Sequence, residues 1–170
     1  TDGIPFITTP VPDIAFVEEF AHFPLLAHSH PKTVLILGGG TGGIINEVLK
    51  HSDVKRIDYI ETDPELLKTI KKFSTPLTQT ELNNPIVKLI YVDGRIFFRK
   101  MSHKYDVVLI GLPPPATLQM NRFYTKEFFT AIKASLNADG ILALTTPGSY
   151  AYYSSTLKEL NKSIISTIGS

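Results

Sequence analysis

The feature that most constrains this chain is the run Thr33-Val-Leu-Ile-Leu-Gly-Gly-Gly-Thr-Gly-Gly-Ile-Ile-Asn-Glu-Val-Leu49. Residues 34–37 form a short continuous apolar run, the pattern of a strand buried on both faces. Gly38, Gly39, Gly40, Gly42 and Gly43 follow, interrupted only by Thr41. Ile44, Ile45, Val48 and Leu49 then recur at three- and four-residue spacing, one face of a helix over 44–50. Strand, glycine turn and helix make the opening unit of a nucleotide-binding α/β domain. Glycine is needed there because the turn is tight, the backbone approaches a ligand closely and the helix packs against the strand. The free N–H groups at the start of that helix are expected to face the ligand.

The remainder of the chain repeats the alternation. Residues 1–13, with Pro5, Pro10 and Pro12, read as an extended lead-in. A helix is expected over 14–27 with Phe16, Phe20 and Phe23 on one face, ended or bent by Pro24. The second strand spans 54–60, and Asp63 before Pro64 is placed to cap a helix whose apolar face is Leu66, Leu67, Ile70 and Phe73. Residues 74–85 read as a loop. A third strand over 86–92 ends in Asp93-Gly94 and leads to a helix through Ile96 and Phe97. The fourth strand, 106–110, runs into the rigid Gly111-Leu-Pro-Pro-Pro115 segment. A helix over 124–136 with Phe128, Phe129, Ile132 and Leu136 inward, a turn at 137–140, a fifth strand over 141–145 and a helix over 154–168 complete the reading.

Five strands alternating with helices predict an α/β fold with a doubly wound parallel sheet and right-handed crossovers. Its ligand then lies beyond the carboxyl ends of the strands, beside strand one. That crevice would be built by 38–43, Glu61-Thr62, Asp93-Gly94 and the loop beginning at Gly111. Glu61 is placed to take both hydroxyls of a ribose; otherwise it is an exposed strand-end carboxylate. Asp93 could accept from an adenine amino group, or simply cap the helix that follows. Two ligand classes fit. Gly38, Gly40 and Gly43 satisfy the dinucleotide spacing, which makes NAD one candidate; an adenosyl sulfonium of the S-adenosylmethionine type is the other. A phosphate-cradling P-loop is excluded, because no Lys-Ser or Lys-Thr follows the glycines.

Composition narrows the partners. A formal net charge of +1 calls for neither nucleic acid nor a membrane surface, and short clusters such as Lys71-Lys72 and Arg99-Lys100 read as solvated helix ends. The absence of cysteine excludes disulfides, thiolate metal sites and thiol nucleophiles. His28, His30 and His51 lack a partner set for metal, and His28-Ser-His30 reads as a solvated loop. Gln119, Asn121, Arg122 and Tyr124 follow the proline loop; Asn121 is expected to cap the next helix, Arg122 to be solvated and Tyr124 to join the core. No apolar stretch reaches membrane-spanning length, so a cytoplasmic domain is expected, or the cytoplasmic part of a membrane protein. The chain begins without Met and stops just after a helical segment, as a piece of a longer protein would.

The ordered set Leu35-Ile-Leu-Gly-Gly-Gly-Thr-Gly-Gly43, Glu61-Thr-Asp63, Asp93-Gly-Arg95, Tyr105-Asp106 and Phe123-Tyr-Thr-Lys-Glu-Phe-Phe129 resembles the spermidine synthase (polyamine aminopropyltransferase) family. The stretch 18–26 resembles that family's lead-in helix, and the closest likeness is to spermidine-synthase-like domains often fused to membrane-spanning segments. The resemblance implies a class I methyltransferase-like, Rossmann-like fold. It implies decarboxylated S-adenosylmethionine as the bound substrate, without metal, and aminopropyl transfer to a polyamine. It implies Glu61 on the ribose, Asp93 on the adenine, and a homodimer. Residues 1–32 then form a lead-in and 33–170 a nucleoside-binding domain short of the family's last strands.

Three departures bear on the chemistry. Thr41 stands where the family's glycine loop has an aspartate, and Gly111 and Pro114 stand where its fourth-strand loop has two. Phe16-Val17-Glu18 replaces the usual Tyr-His-Glu. An attacking amine must be neutral, and an alkylamine with pKa near 10.4 pays about 4.6 kcal/mol to lose its proton at pH 7. A buried ammonium without its carboxylate partner is worse off by roughly 3–5 kcal/mol. Loss of the carboxylates is therefore expected to impair polyamine chemistry. Three readings follow: a spermidine-synthase-like transferase; a methyltransferase-like enzyme or non-catalytic binding module on the same fold; and an NAD-binding domain.

Overall fold

A computed structural model describes residues 12–101, 103–148 and 154–169. Five strands form one sheet: β1 (Thr33–Leu37), β2 (Arg56–Glu61), β3 (Val87–Tyr91), β4 (Tyr105–Ile110) and β5 (Leu136–Leu144). Their order is β3-β2-β1-β4-β5 and every pairing is parallel. The helices are α1 (Ile14–Ala27), α2 (Ile44–Leu49), α3 (Pro64–Lys72), α4 (Pro76–Asn83), α5 (Gly94–Lys100), α6 (Leu118–Asn121), α7 (Lys126–Ser135) and α8 (Ser155–Gly169). No helix among the described residues is long and apolar enough to cross a membrane.

The alternation of side chains along each strand divides the core in two. Val34, Ile36, Ile57, Tyr59, Val107 and Leu109 point to the face covered by α1, α2 and α3. Leu35, Leu37, Ile60, Val108 and Ile110 point to the other, against Phe98 of α5, Phe128, Phe129 and Ile132 of α7 and Ile164 of α8. Because β1 has neighbours on both edges and helices on both faces, its residues 34–37 are fully buried. This is the continuous apolar run that the sequence displays.

Polar groups fix the amino ends of the strands. Asp58 is fully buried, and its carboxylate takes Arg56 Nε at 3.0 Å, Arg56 Nη2 at 2.7 Å and the Tyr105 hydroxyl at 2.5 Å. Asp106 accepts from the backbone N–H of Lys32 (2.8 Å) and Thr33 (2.9 Å) and from Asn137 Nδ2 (2.6 Å), tying β1, β4 and β5 together. Burial opposes its ionisation, but the Asn137, Thr33 and Lys32 donors outweigh it and hold the carboxyl below its ordinary range.

Several elements differ from the expectation. Residues 74–85 are not a loop: α4 lies there, with Pro76 at its start and a capping box between Thr75 and Thr78. Its sequence is polar and buries only Thr78 and Glu81, so it carries no apolar stripe. On α1 the buried residues are Val17, Phe20, Ala21, Pro24 and Leu25, while Phe16 and Phe23 are exposed. Pro24 sits inside that helix without ending it. Phe73 lies just beyond α3 and is exposed. α7 starts at Lys126, capped by Thr125, and Leu136 begins β5. The 137–140 segment is an irregularity inside β5, where Leu136 pairs with Tyr105 but Ile141 with Val107. Of the extended lead-in, all but Pro12 and Asp13 lies outside the described residues.

Tyr105→Phe keeps the buried ring but removes the hydroxyl donated to Asp58. Urea unfolding is expected to show a loss of about 1.5–3 kcal/mol with an unchanged m-value. A loss below about 0.5 kcal/mol would mean that Arg56 alone satisfies this carboxylate.

Candidate functional site

The order of the sheet reverses beside β1, so the loops after β1 and β4 leave in opposite directions and open a crevice at the carboxyl ends. Leu37 lies opposite both Ile60 and Ile110, which brings the three strand ends level. Gly38 donates its N–H to the Ile60 carbonyl at 2.9 Å, and Gly111 donates to the Leu37 carbonyl at 3.0 Å. The two loops meet backbone to backbone. A Cβ on Gly39, which holds φ +62, would stand 2.7 Å from the Gly111 carbonyl oxygen, and a Cβ on Gly111 would stand 2.6 Å from that of Gly38. Neither position has room for a side chain.

Glu61 ends β2 and is 6% exposed, so it is not a solvated strand-end acid. The Tyr59 hydroxyl donates to its Oε2 and the Asp63 N–H to its Oε1, both at 2.9 Å. A carboxylate has about four acceptor sites, so oriented lone pairs remain for two ligand hydroxyls. Burial, then the neighbouring Glu61 charge, pushes the Tyr59 phenol well above its usual pKa and keeps it a donor. Tyr59 and Glu61 are two residues apart on a strand and therefore share a face, a spacing that the sequence itself displays. Thr62 next to it is exposed.

Register places Glu61 opposite Tyr91, so Asp93 lies two residues beyond, past the adjacent strand end. Its Oδ1 accepts the Arg95 N–H at 2.9 Å, making it the N-cap of α5, the role set beside base binding above. Its Oδ2 pairs with Arg122 Nη2 at 3.1 Å. Arg122 is therefore not a solvated cation: it also lies over the Phe123 ring, 4.8 Å from its centroid. Asn121 does not cap α7; it ends the short α6, and Thr125 supplies the cap. Tyr124 is buried, its hydroxyl donating to the Pro113 carbonyl at 3.0 Å, a core residue that also steadies the proline loop. Gly94 packs on Leu37, where an added Cβ would come within 2.8 Å.

One residue of the site has no local sequence signal. Glu81 of α4 is fully buried, and its carboxylate accepts from Gly42 N (2.9 Å), Gly43 N (2.7 Å) and Asn46 N (3.4 Å). Gly43 offers no side-chain cap to α2, and a carboxylate from 38 residues away supplies one instead. The expectation that these donors face the ligand is thus corrected: they are occupied from within the chain. Thr41 is buried beside them, its side chain next to the Tyr59 hydroxyl. Val17 of α1 completes the back of the bend, 3.1 Å from where a Gly43 Cβ would lie.

Two of the histidines join helices. His51 Nε2 lies 2.8 Å from His22 Nδ1, and His22 Nε2 lies 3.1 Å from Glu47 Oε2, joining α1 to α2. His28 is buried rather than solvated, with Nε2 3.4 Å from Asp139 Oδ2, while His30 is exposed.

The sequence model of the spermine/spermidine synthase domain matches residues 14–168. The chain belongs to the spermine/spermidine synthase domain family. It is 36% identical over 137 residues to the polyamine aminopropyltransferase of Methanocaldococcus jannaschii, covering 81% of this chain and 46% of that one. With the Bacillus subtilis polyamine aminopropyltransferase it shares 34% over 145 residues, covering 85% and 51%. A spermidine synthase in complex with the transition-state analogue AdoDATO superposes with a TM-score of 0.80 at 28% identity, over 92% of this chain and 52% of that one. The Thermotoga maritima spermidine synthase gives 0.75 at 27%, over 92% and 50%. The chain thus spans about half the length of these relatives. Within the spermidine synthase family fold, the methyltransferase-like expectation holds: a parallel sheet, with glycine loop, Glu61 and Asp93 at successive strand ends.

Burial raises the Glu81 carboxyl above the usual range, while its three backbone donors pull it back. The folded protein then binds the proton more readily than the unfolded chain, so this group's contribution to stability falls as pH rises from the usual Glu value to the raised one. Denaturation across pH is expected to show that component in wild type and not in Glu81→Gln, read as the difference between the two curves. Coincident pH dependences would show that Glu81 does not titrate abnormally.

Proposed function

We propose that this domain binds an adenosyl sulfonium ligand, decarboxylated S-adenosylmethionine or S-adenosylmethionine, but has little capacity to transfer an aminopropyl group to a polyamine. The observation that carries the binding half is Glu61: a buried carboxylate at the end of β2, oriented by Tyr59 and Asp63, one strand from the glycine bend. Gly38, Gly39, Gly40 and Gly42 form the bend, with the buried Thr41 among them. Glu61 takes the ribose hydroxyls. Asp93 keeps its cap and accepts from the base amine. Gly111 and Gly94 keep the walls close.

Glu81 supports a cation over a dinucleotide. A pyrophosphate at the start of α2 would find its donors taken by a carboxylate and would face like charge. A sulfonium meets no such penalty. NAD is the weaker reading for that reason.

The catalytic half is limited by geometry as well as by composition. The loops 38–43 and 111–117 contain no acidic residue. At Gly111, where the resemblance implies a carboxylate, the Gly38 carbonyl leaves no space for a side chain. Val17 is aliphatic and packed on the bend. An amine entering over β1 and β4 would find no carboxylate in either of those loops to act as base or to pair with its distal ammonium. A binding or sensing role, alone or as the nucleotide-binding part of a larger protein, accords with that.

Calorimetry is expected to show saturable binding of decarboxylated S-adenosylmethionine or 5′-methylthioadenosine and none of NAD. Glu61→Ala weakens it at least about tenfold. Putrescine-dependent release of methylthioadenosine is expected about 10²–10⁴-fold below that of an aminopropyltransferase carrying the carboxylates. Turnover at the rate of such an enzyme would sink the catalytic half, and unchanged affinity in Glu61→Ala would remove Glu61 from the site.

A further inference from the structure

On the face opposite α1 and α2, α5 and α7 enclose a pocket of about 500 Å³. Arg95, Arg99 and Arg122 line it, with Thr125 and Glu127 at the start of α7 and an apolar floor that includes Phe128. Three guanidinium groups against Glu127 leave a surplus of two positive charges, or one once Asp93 is counted. The three arginines are not equally occupied. Arg122 is paired with Asp93 through Nη2, while its Nε is buried without a hydrogen-bond partner. Arg95 reaches the same carboxylate only at 3.5 Å. Arg99 has no carboxylate partner among the described residues. The pocket therefore holds more donor capacity than the chain satisfies. The positive end of the ten-residue α7 adds to it.

We propose that this pocket binds a phosphate dianion, free or carried on a small organic molecule, and that its occupancy is coupled to the nucleoside site through Arg122. Planar guanidinium forks match the tetrahedral oxygens of phosphate, each able to give paired hydrogen bonds. The apolar floor favours a phosphate ester over the bare ion. Arg122 is the shared element. A phosphate drawing its guanidinium into the pocket takes Nη2 away from Asp93 Oδ2. That leaves the carboxylate oxygen free for the amino group of a base. Phosphate and adenosyl ligand then favour each other's binding, and by linkage the effect is reciprocal. The coupling, though not the anion pocket, rests on the reading of Asp93 as the base acceptor.

The test titrates the full 170-residue chain with inorganic phosphate and with phenyl phosphate, using chloride at matched ionic strength as the control. Saturable binding is expected for both phosphates, tighter for phenyl phosphate if an ester is the ligand and equal if the free ion is. Arg99→Gln, which leaves Asp93 and Arg122 untouched, is expected to weaken it about tenfold. A second titration follows 5′-methylthioadenosine with and without saturating phosphate. Its affinity is expected to rise about fivefold with phosphate. Arg99→Gln is expected to keep the phosphate-free affinity and lose the response. No saturable phosphate binding, an equal effect of chloride, or equal binding by Arg99→Gln would overturn the pocket. Phosphate binding with methylthioadenosine affinity unchanged or lowered would overturn the coupling. Phosphate binding with no methylthioadenosine binding in either buffer would leave the anion pocket standing and remove the nucleoside reading instead.

Discussion

A buried carboxylate holds the glycine bend in place. Glu81, fully enclosed, gathers the N–H groups of Gly42, Gly43 and Asn46, donors that a glycine-capped helix would otherwise leave unpaired inside the protein. With α2 anchored in this way, β1 delivers its loop to the crevice in one conformation, and the backbones of Gly38, Gly39 and Gly111 can close to contact distance. Glu61 and Asp93 lie at or just beyond the ends of β2 and β3, on one side of that bend. The same interaction sets the electrostatic character of the site. A negative charge behind the bend takes the place that a bound pyrophosphate would need.

Charge is segregated around the sheet. Acids sit at the ends of β2 and β3, as Glu61, Asp63 and Asp93, and the arginines cluster between α5 and α7. The loops over β1 and β4 carry none of the carboxylates expected of a polyamine site. Arg122 stands at the boundary, holding Asp93 on one side and the basic pocket on the other. Family membership and the acids at the strand ends underlie the proposed ligand recognition. The proposed loss of turnover rests on the acid-free loops and on the contact of Gly111 with the Gly38 carbonyl.

Much of the fold was legible because strands buried on both faces leave an unambiguous apolar run. Residues 34–37 and 107–110 are such runs, and the acid or glycine after each marks a strand end. The Asp63-Pro64 cap is equally local, since both residues act through their own backbone. α4 was not legible: its stability comes from a capping box and from what Glu81 does elsewhere, and neither leaves an apolar period. The face of α1 was only partly legible: of three phenylalanines at helical spacing only Phe20 is buried, and Val17, Ala21 and Leu25 pack with it against α2 and the sheet.

The sequence by itself determined the strand–turn–helix unit, the parallel order of elements, the glycines of the bend, and the acids at successive strand ends. These follow from local propensity and from periodicity, which act over a few residues. Only the tertiary structure decided that Glu81 occupies the helix start, that Arg122 pairs with Asp93, and that Gly111 lies against Gly38. Each is a contact between segments far apart in the chain, made by groups whose type is common and whose partner is selected only when the sheet brings them together.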